Sequence, residues 1–290
     1  MFPKEFDYYA PSTVRETLSL LNKHSENAKI LAGGQSLVPL MKFRLVESET
    51  IVDINGVKEL SFIRKNRDGA LRIGALARHA AIESSALIKT ESPLLAQAAS
   101  VIGDPHIRNR GTIGGSVAHM DPAGDYLPVL AALDSQISLA SVSGTRTIDW
   151  EDFLLGMYTT SLQPSELLTQ IRIPRKKLRQ RGVYLKCAKS SGDFSIAGVA
   201  SLIEIDKSGR CADCSIGIGG VEDRPVRARK AEKELMGSRI TRDTLQKAAE
   251  IAAQEVRGST DIHATAEYRR SLVQVLTRRS LERATGLGPA

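Results

Sequence analysis

The period of its apolar positions predicts that the chain opens with a helix over residues 13–25. Thr13 is followed three residues later by Glu16, a capping-box pair, and Val14, Leu18 and Leu21 fall on one face. Residues 29–32 read as a strand stopped by Gly33-Gly34. Residues 36–41 read as a short helix in which Pro39 is tolerated because it lies in the first turn. Strands are expected over 51–54 and 71–75, and a helix over 93–102 that Gly103 ends. A second glycine loop, Gly111-Thr-Ile-Gly-Gly-Ser116, leads into an apolar segment over 127–133, and strands near 137–142 and 167–173 close this part.

Beyond a basic stretch at 172–181 the pattern changes. Three β-rich runs over 183–188, 196–205 and 211–218 are followed only by helical spans, at 230–236, 241–256 and 264–284. In the last of these, Tyr268, Leu272, Val275, Leu276 and Arg279 follow helical spacing with charges on the other face. Strands followed by a block of helices predict a separate α+β domain, with its boundary close to residue 178.

Composition narrows the class. At 290 residues and 42% hydrophobic, the chain has a soft prior for two domains and can bury a core without disulfide or metal staples. The longest nearly apolar stretches, 127–133 and 196–205, are too short to cross a bilayer, so no transmembrane segment is expected. The opening Met1-Phe-Pro-Lys-Glu-Phe-Asp7 carries acids where a signal peptide needs an apolar core, and three cysteines cannot build a disulfide framework. A cytoplasmic protein is expected.

The charge balance, 40 basic against 33 acidic residues, suits a nucleic-acid binder or a protein that takes an anionic cofactor or an acidic partner. The basic residues crowd at 172–181, where no aromatic side chain interleaves to stack on bases and no helical spacing aims the charges at a groove. A solvated linker is the better reading. Cys211-Ala-Asp-Cys214 is a single pair, and on a strand positions i and i+3 point to opposite faces, so it cannot chelate. The five histidines are scattered, and no acid–base or nucleophilic constellation has local support; no metal site or catalytic residue is expected.

Two segments carry the candidate chemistry. Ala32-Gly-Gly-Gln-Ser36 and Thr112-Ile-Gly-Gly-Ser116 each place paired glycines, expected at the end of a strand, before a hydroxyl residue. Paired glycines permit positive φ and let a ligand approach closely, and successive N–H groups turned into one concavity suit a phosphate. Neither loop matches the dinucleotide fingerprint or the phosphate loop ending in Gly-Lys-Ser/Thr. Pattern alone leaves two readings open, an anion site built twice or two tight turns.

Resemblance separates them. Phe6-Asp-Tyr with Pro11-Ser12, then Leu31-Ala-Gly-Gly-Gln-Ser-Leu-Val-Pro39, then Asp104-Pro-His-Ile-Arg108 before the second loop resemble the medium, FAD-binding subunit of molybdenum hydroxylases, the carbon monoxide dehydrogenase and xanthine dehydrogenase group. Asp121-Pro-Ala-Gly-Asp125, Glu166-Leu-Leu, Lys186 with Gly192-Asp-Phe194, and Ala266-Glu-Tyr-Arg-Arg270 continue the match in order, from about residue 6 to 285.

The resemblance implies an α+β fold. An FAD-binding domain of two subdomains, PCMH/vanillyl-alcohol-oxidase-like, would occupy 1–177 (about 1–56 and 57–177). A small antiparallel sheet plus helices would follow over 178–290. It implies that Lys29, Ala32, Gly33, Gly34, Gln35 and Ser36 line the FAD pyrophosphate, gripped from the other side by Thr112, Gly114, Gly115 and Ser116. Ile102 and Gly124 are further cofactor positions, and Asp125 meets the hydroxyl-bearing part of FAD. Leu167 or Leu168 packs near the ring system and Lys186 lies near the flavin. Phe194 covers one ring face where relatives often carry Tyr. Read without the resemblance, Phe194 is core, Asp125 caps the following apolar segment and Lys29 is a solvated strand residue. Lys189-Ser190 stands where relatives often carry arginines, which removes rigid bidentate donors from that loop.

By the same resemblance, partner subunits carry what this chain lacks. A large subunit would hold the molybdenum cofactor and a small one two two-iron–two-sulfur clusters. This chain's FAD would pass electrons to an external acceptor such as NAD, a quinone, a cytochrome or oxygen, in a dimer of heterotrimers. A stand-alone FAD oxidoreductase and a basic nucleic-acid-binding module are the competing readings.

Overall fold

A computed structural model describes residues 2–288; Met1 and the last two positions of the expected C-terminal domain lie outside the described residues. The chain begins with β1 (Asp7–Tyr9), α1 (Val14–His24), β2 (Ala28–Leu31), α2 (Leu37–Lys42) and β3 (Thr50–Asp53). Its strands form a parallel sheet in the order β1-β3-β2, with Asp7 and Ala28 both beside Thr50. Thr13 caps α1 by accepting from the Glu16 N–H at 3.1 Å. The Glu16 carboxylate turns to the Ser12 N–H rather than to Thr13, so the capping box closes one residue early. Leu21 of α1 packs with Val52, Ile54, Leu60 and Leu76 in a small core of its own.

The middle part holds β4 (Ile63–Lys65), β5 (Leu71–Gly74), α3 (His79–Ser84), α4 (Ala86–Glu91), α5 (Pro93–Ser100), α6 (Pro105–Arg110), α7 (Ile113–His119) and α8 (Tyr126–Ala132). β6 (Gln136–Ser141), β7 (Gly144–Asp149), α9 (Trp150–Phe153), β8 (Leu154–Gly156), β9 (Thr159–Thr160) and β10 (Leu167–Ile173) follow. Five strands make an antiparallel sheet in the order β4-β5-β10-β6-β7. Helices α3, α5, α7 and α8 cover it with the largest apolar core.

The last part begins with β11 (Arg181–Cys187), β12 (Ala197–Ile205), β13 (Cys211–Gly219) and β14 (Val226–Arg227), an antiparallel sheet in sequence order. Helices α10 (Arg229–Leu235), α11 (Arg242–Gln254) and α12 (Ala266–Thr285) complete it, and they form its second core with one face of the sheet. The other face meets α5 and α8, so Tyr184, Ala200 and Leu202 join the core of the middle part.

Three expectations are corrected. The second glycine pair does not end a strand: Thr112 caps α7, accepting from the Gly115 N–H, and Gly114-Gly115 lie in that helix's first turn. The buried stripe of α12 runs through Arg269, Val273, Leu276, Thr277, Ser280 and Leu281, whereas Tyr268 and Val275 face out. The stripe turns because α12 packs against both the sheet and α11, and the Arg269 guanidinium is anchored on Ile196 O and Gly220 O. Finally, Cys211 and Cys214 share a face. A bulge opposite Glu204 and Ile205 pairs Asp213 with the first and Cys211 with the second. The alternation thus shifts by one and both thiols enter the core. They are free thiols, and no metal-binding group occurs among the described residues.

Candidate functional site

The first loop leaves the end of β2, where Lys29 is exposed, and turns through Ala32–Ser36 into α2. Gly34 takes φ of +76°, a left-handed conformation that a Cβ would strain. Gly33 is required for a different reason. A Cβ there would lie 2.8 Å from Gly111 Cα and 2.9 Å from the Arg110 carbonyl carbon. The backbone before the second loop therefore rests directly on the first, and the two glycine segments are brought together.

They do not share one design. In the first loop, the N–H groups of Gly33, Gly34, Gln35 and Ser36 find no acceptor among the described residues, and Ser36 leaves its hydroxyl out of the α2 cap. In the second, Ile113 N–H donates to Ala77 O, Gly114 N–H to Ala75 O at 2.9 Å, Gly115 N–H to Thr112 Oγ1, and Ser116 N–H to Thr112 O. The amides of the first loop are free among the described residues, whereas the expectation of free amides is corrected at the second. There α7 pins itself to the end of β5: a Cβ on Gly114 would overlap Ala75.

Polar side chains fasten the loops from behind. Asn55 donates to Ala32 O at 2.7 Å and to Asp53 Oδ1 at 2.6 Å, and its own oxygen accepts from Arg78 at 2.5 Å. The other amino group of Arg78 donates to Arg110 O, and Tyr8 donates to Asp53 Oδ2 at 2.6 Å. Burial and the nearby Arg110 charge lower the Arg78 pKa, while Asp53 opposes them. His79, next in the chain, is buried behind Gly111 with Nδ1 unpartnered. Burial, with the Arg78 and Arg108 charges, drops its pKa to about 4.

A second grouping surrounds Asp125, which is 6% exposed at the start of α8. It caps nothing by its side chain; it accepts from Tyr184 at 2.7 Å and from Lys186 Nζ at 3.0 Å. Lys186 also donates to Val101 O at 2.9 Å and Asp193 O at 2.8 Å, which uses all three of its hydrogens within the chain. Burial pushes the Asp125 carboxyl above its usual range, with the Lys186 charge and the Tyr184 hydroxyl opposing. Ile102 is half-buried beside this cluster, with its carbonyl and that of Gly103 accepting from Arg108. Gly124 directly precedes Asp125, and Phe194 stands 62% exposed at the rim. The segment from Val101 to Gly111 joins this grouping to the glycine loops.

Leu167 and Leu168 are each almost fully buried, the first in the N-terminal core against which Ala32 packs and the second in the middle core. Four of the six basic residues of the linker pair with acids of the same chain, Arg172 with Asp68, Lys176 with Asp134, Lys177 with Asp213 and Arg179 with Glu91. Two hollows, of about 560 Å³ beside α1 and about 430 Å³ beside α9, contain none of the expected site residues.

A family model described as "FAD binding domain in molybdopterin dehydrogenase" matches residues 4–176, and one described as "CO dehydrogenase flavoprotein C-terminal domain" matches residues 183–284. The chain belongs to the FAD-binding medium subunits of the molybdenum hydroxylases. Among its relatives, the nicotine 6-hydroxylase medium subunit of Paenarthrobacter nicotinovorans is 38% identical over 96% of either chain. The carbon monoxide dehydrogenase medium chain of Hydrogenophaga pseudoflava is 34% identical over 98% of either chain. A solved carbon monoxide dehydrogenase from the latter organism, lacking the Mo-pyranopterin moiety, superposes with a TM-score of 0.94 over the whole of both chains at 34% identity. This medium subunit is therefore part of an oxidoreductase and carries the FAD-binding domain. Its residues fit a diphosphate. Unpaired amides on a half-buried loop are the donors that an anion leaving water needs, and the Gly33 contact keeps side chains out of the groove.

Asn55, Arg78 and Arg110 fasten the two glycine segments and were passed over by sequence reasoning. None belongs to a glycine motif, and nothing in the local pattern distinguishes them from solvated polar positions.

Proposed function

We propose that this medium subunit is the electron relay of a heterotrimeric molybdenum hydroxylase. Its FAD diphosphate lies on the amides of Ala32–Ser36 with the Thr112–Ser116 segment closing the other side. The flavin lies toward Asp125, Lys186 and Phe194. FAD supplies the one- and two-electron chemistry when bound; the chain binds it, orients it and limits water around it. Lys186 and Asp125 act by holding Val101, Asp193 and Tyr184 in register, which fixes the Ile102 and Phe194 segments relative to each other. Electrons arrive from the iron–sulfur clusters of a small partner subunit, fed by a large molybdenum-cofactor subunit, and leave to an external acceptor. The complex is a cytoplasmic dimer of heterotrimers.

The chain is organised as an FAD-binding domain over 1–177, with subdomains about 1–56 and 57–177, and a C-terminal domain over 178–290. The separate three-, five- and four-stranded sheets support this division. The observation that carries the reading is the row of four unpaired amides, Gly33 to Ser36, the first of which rests on the backbone of Arg110 and Gly111.

The test is purification of the full chain with and without its two partner subunits. Yellow protein that releases FAD, not FMN, on acid treatment, and that co-purifies with a molybdenum subunit and an iron–sulfur subunit, is expected. A colourless chain that fails to take up added FAD overturns the reading. Substrate turnover by the isolated chain would favour a stand-alone oxidoreductase instead.

A further inference from the structure

We propose that Asn55 and Arg78 form a clamp that sets the width of the diphosphate groove and turns the first loop's amides toward it. This rests on the reading of the glycine loops as the FAD site.

The two carbonyls the clamp holds are not arbitrary. Ala32 O belongs to the peptide unit that contains the Gly33 N–H, and Arg110 O belongs to the unit on which Gly33 rests. A trans peptide is planar, with its C=O and N–H pointing in opposite directions. Tying Ala32 O to Asn55 therefore turns the Gly33 N–H away from the clamp. Asn55 cannot swing, because both of its donors and its acceptor are engaged: Ala32 O, Asp53 Oδ1 and Arg78. Asp53 is itself held, by Tyr8 and by the Asn55 N–H at 2.8 Å.

Arg78 completes the bridge with the two amino groups of one rigid fork, one on Asn55 and one on Arg110 O, which a lysine ammonium cannot span in that geometry. Arg78 is the N-cap residue of α3 and is bridged to Thr112, so its backbone is anchored to the second glycine segment. The Arg110 charge opposes that of Arg78, so the back of the groove is left positive and a dianion in front of it relieves the repulsion. Asn55 and Arg78 are positioning residues: they act on FAD through Ala32 and Arg110.

The experiment uses the full chain stripped of flavin, with three variants, Asn55→Leu, Arg78→Met and Arg78→Lys. The FAD dissociation constant is measured by fluorescence titration, and the two phosphorus resonances of bound FAD by ³¹P NMR. Both Asn55→Leu and Arg78→Met are expected to weaken FAD at least tenfold and to move both resonances. Arg78→Lys, which keeps the charge and loses the fork, is expected to recover less than threefold of the Arg78→Met loss. Unchanged affinity and unchanged resonances in Arg78→Met, or full recovery in Arg78→Lys, overturn the clamp. Should Asn55→Leu fail to fold, the two Arg78 variants decide alone. If the unaltered chain takes up no FAD, the parent reading has failed, a result distinct from unaltered FAD binding by the variants.

Discussion

Gly33 offers the most direct perturbation of the site. An alanine there adds one carbon that would lie 2.8 Å from Gly111 Cα and 2.9 Å from the Arg110 carbonyl carbon, both of them backbone. Favourable carbon–carbon separations are about 3.5–4.0 Å, so the loops must part by about 1 Å. No flexible side chain can absorb the overlap. Overpacking of this kind costs about 1–3 kcal/mol. The flavin-free chain can relax by opening the groove, whereas the form closed on a diphosphate cannot, so the cost falls mainly on the bound state. At about 1.4 kcal/mol per tenfold, FAD binding should weaken by roughly 5- to 150-fold. Gly156→Ala is the matched control, since nothing lies within 4 Å of that added carbon. Fluorescence titration of the flavin-free chain gives the dissociation constants, and thermal unfolding without FAD reports any loss common to both states. Gly33→Ala binding FAD within twofold of the unaltered chain would refute the claim that the two loops act jointly.

Two further outcomes follow from buried charge. His79 keeps a pKa of about 4 in the fold against 6.5 outside it, so the unfolded chain binds more protons between those values. Its contribution is complete above about pH 6.5 and is lost as pH falls toward 4, by about 3 kcal/mol at 1.36 kcal/mol per unit. Urea unfolding from pH 7 to 4.5 should show this decline, and His79→Leu should flatten it; an unchanged slope would remove His79 as the cause. Lys186→Met leaves Asp125 buried with only Tyr184 as partner, and should cost about 3–5 kcal/mol in urea unfolding at neutral pH. A loss below 1 kcal/mol would mean that water reaches Asp125 and the pair holds nothing in place.

Long elements were legible because period and end signals agree over many residues. Strand β10 spans Leu167–Ile173 as its alternation predicts, and α12 spans Ala266–Thr285 against an expected 264–284. Short elements without a glycine or proline at either end were harder to see: α3, α4 and α9 each complete two turns at most, too few residues for a period to stand out. The buried face of α12 was misread because Arg269 is drawn inward by carbonyls of Ile196 and Gly220, residues far from it in the chain. The cysteine pair was misread because a bulge depends on the partner strand and leaves no mark on its own sequence.

By itself the sequence determined where backbone must be free of side chains and where strands give way to turns, since Gly, Pro and capping residues act on their own φ and ψ. It thereby marked both glycine segments, while the run from Asp121 to Asp125 stood out only through the family resemblance. Only the tertiary structure decided that Arg110 lies on Gly33, that Asn55 and Arg78 tie the two segments together, and that Lys186 and Asp125 satisfy each other. Those pairings join residues tens of positions apart. Packing of whole elements against shared cores brings them into contact, and that choice is made by the summed burial of many side chains, not by any local pattern.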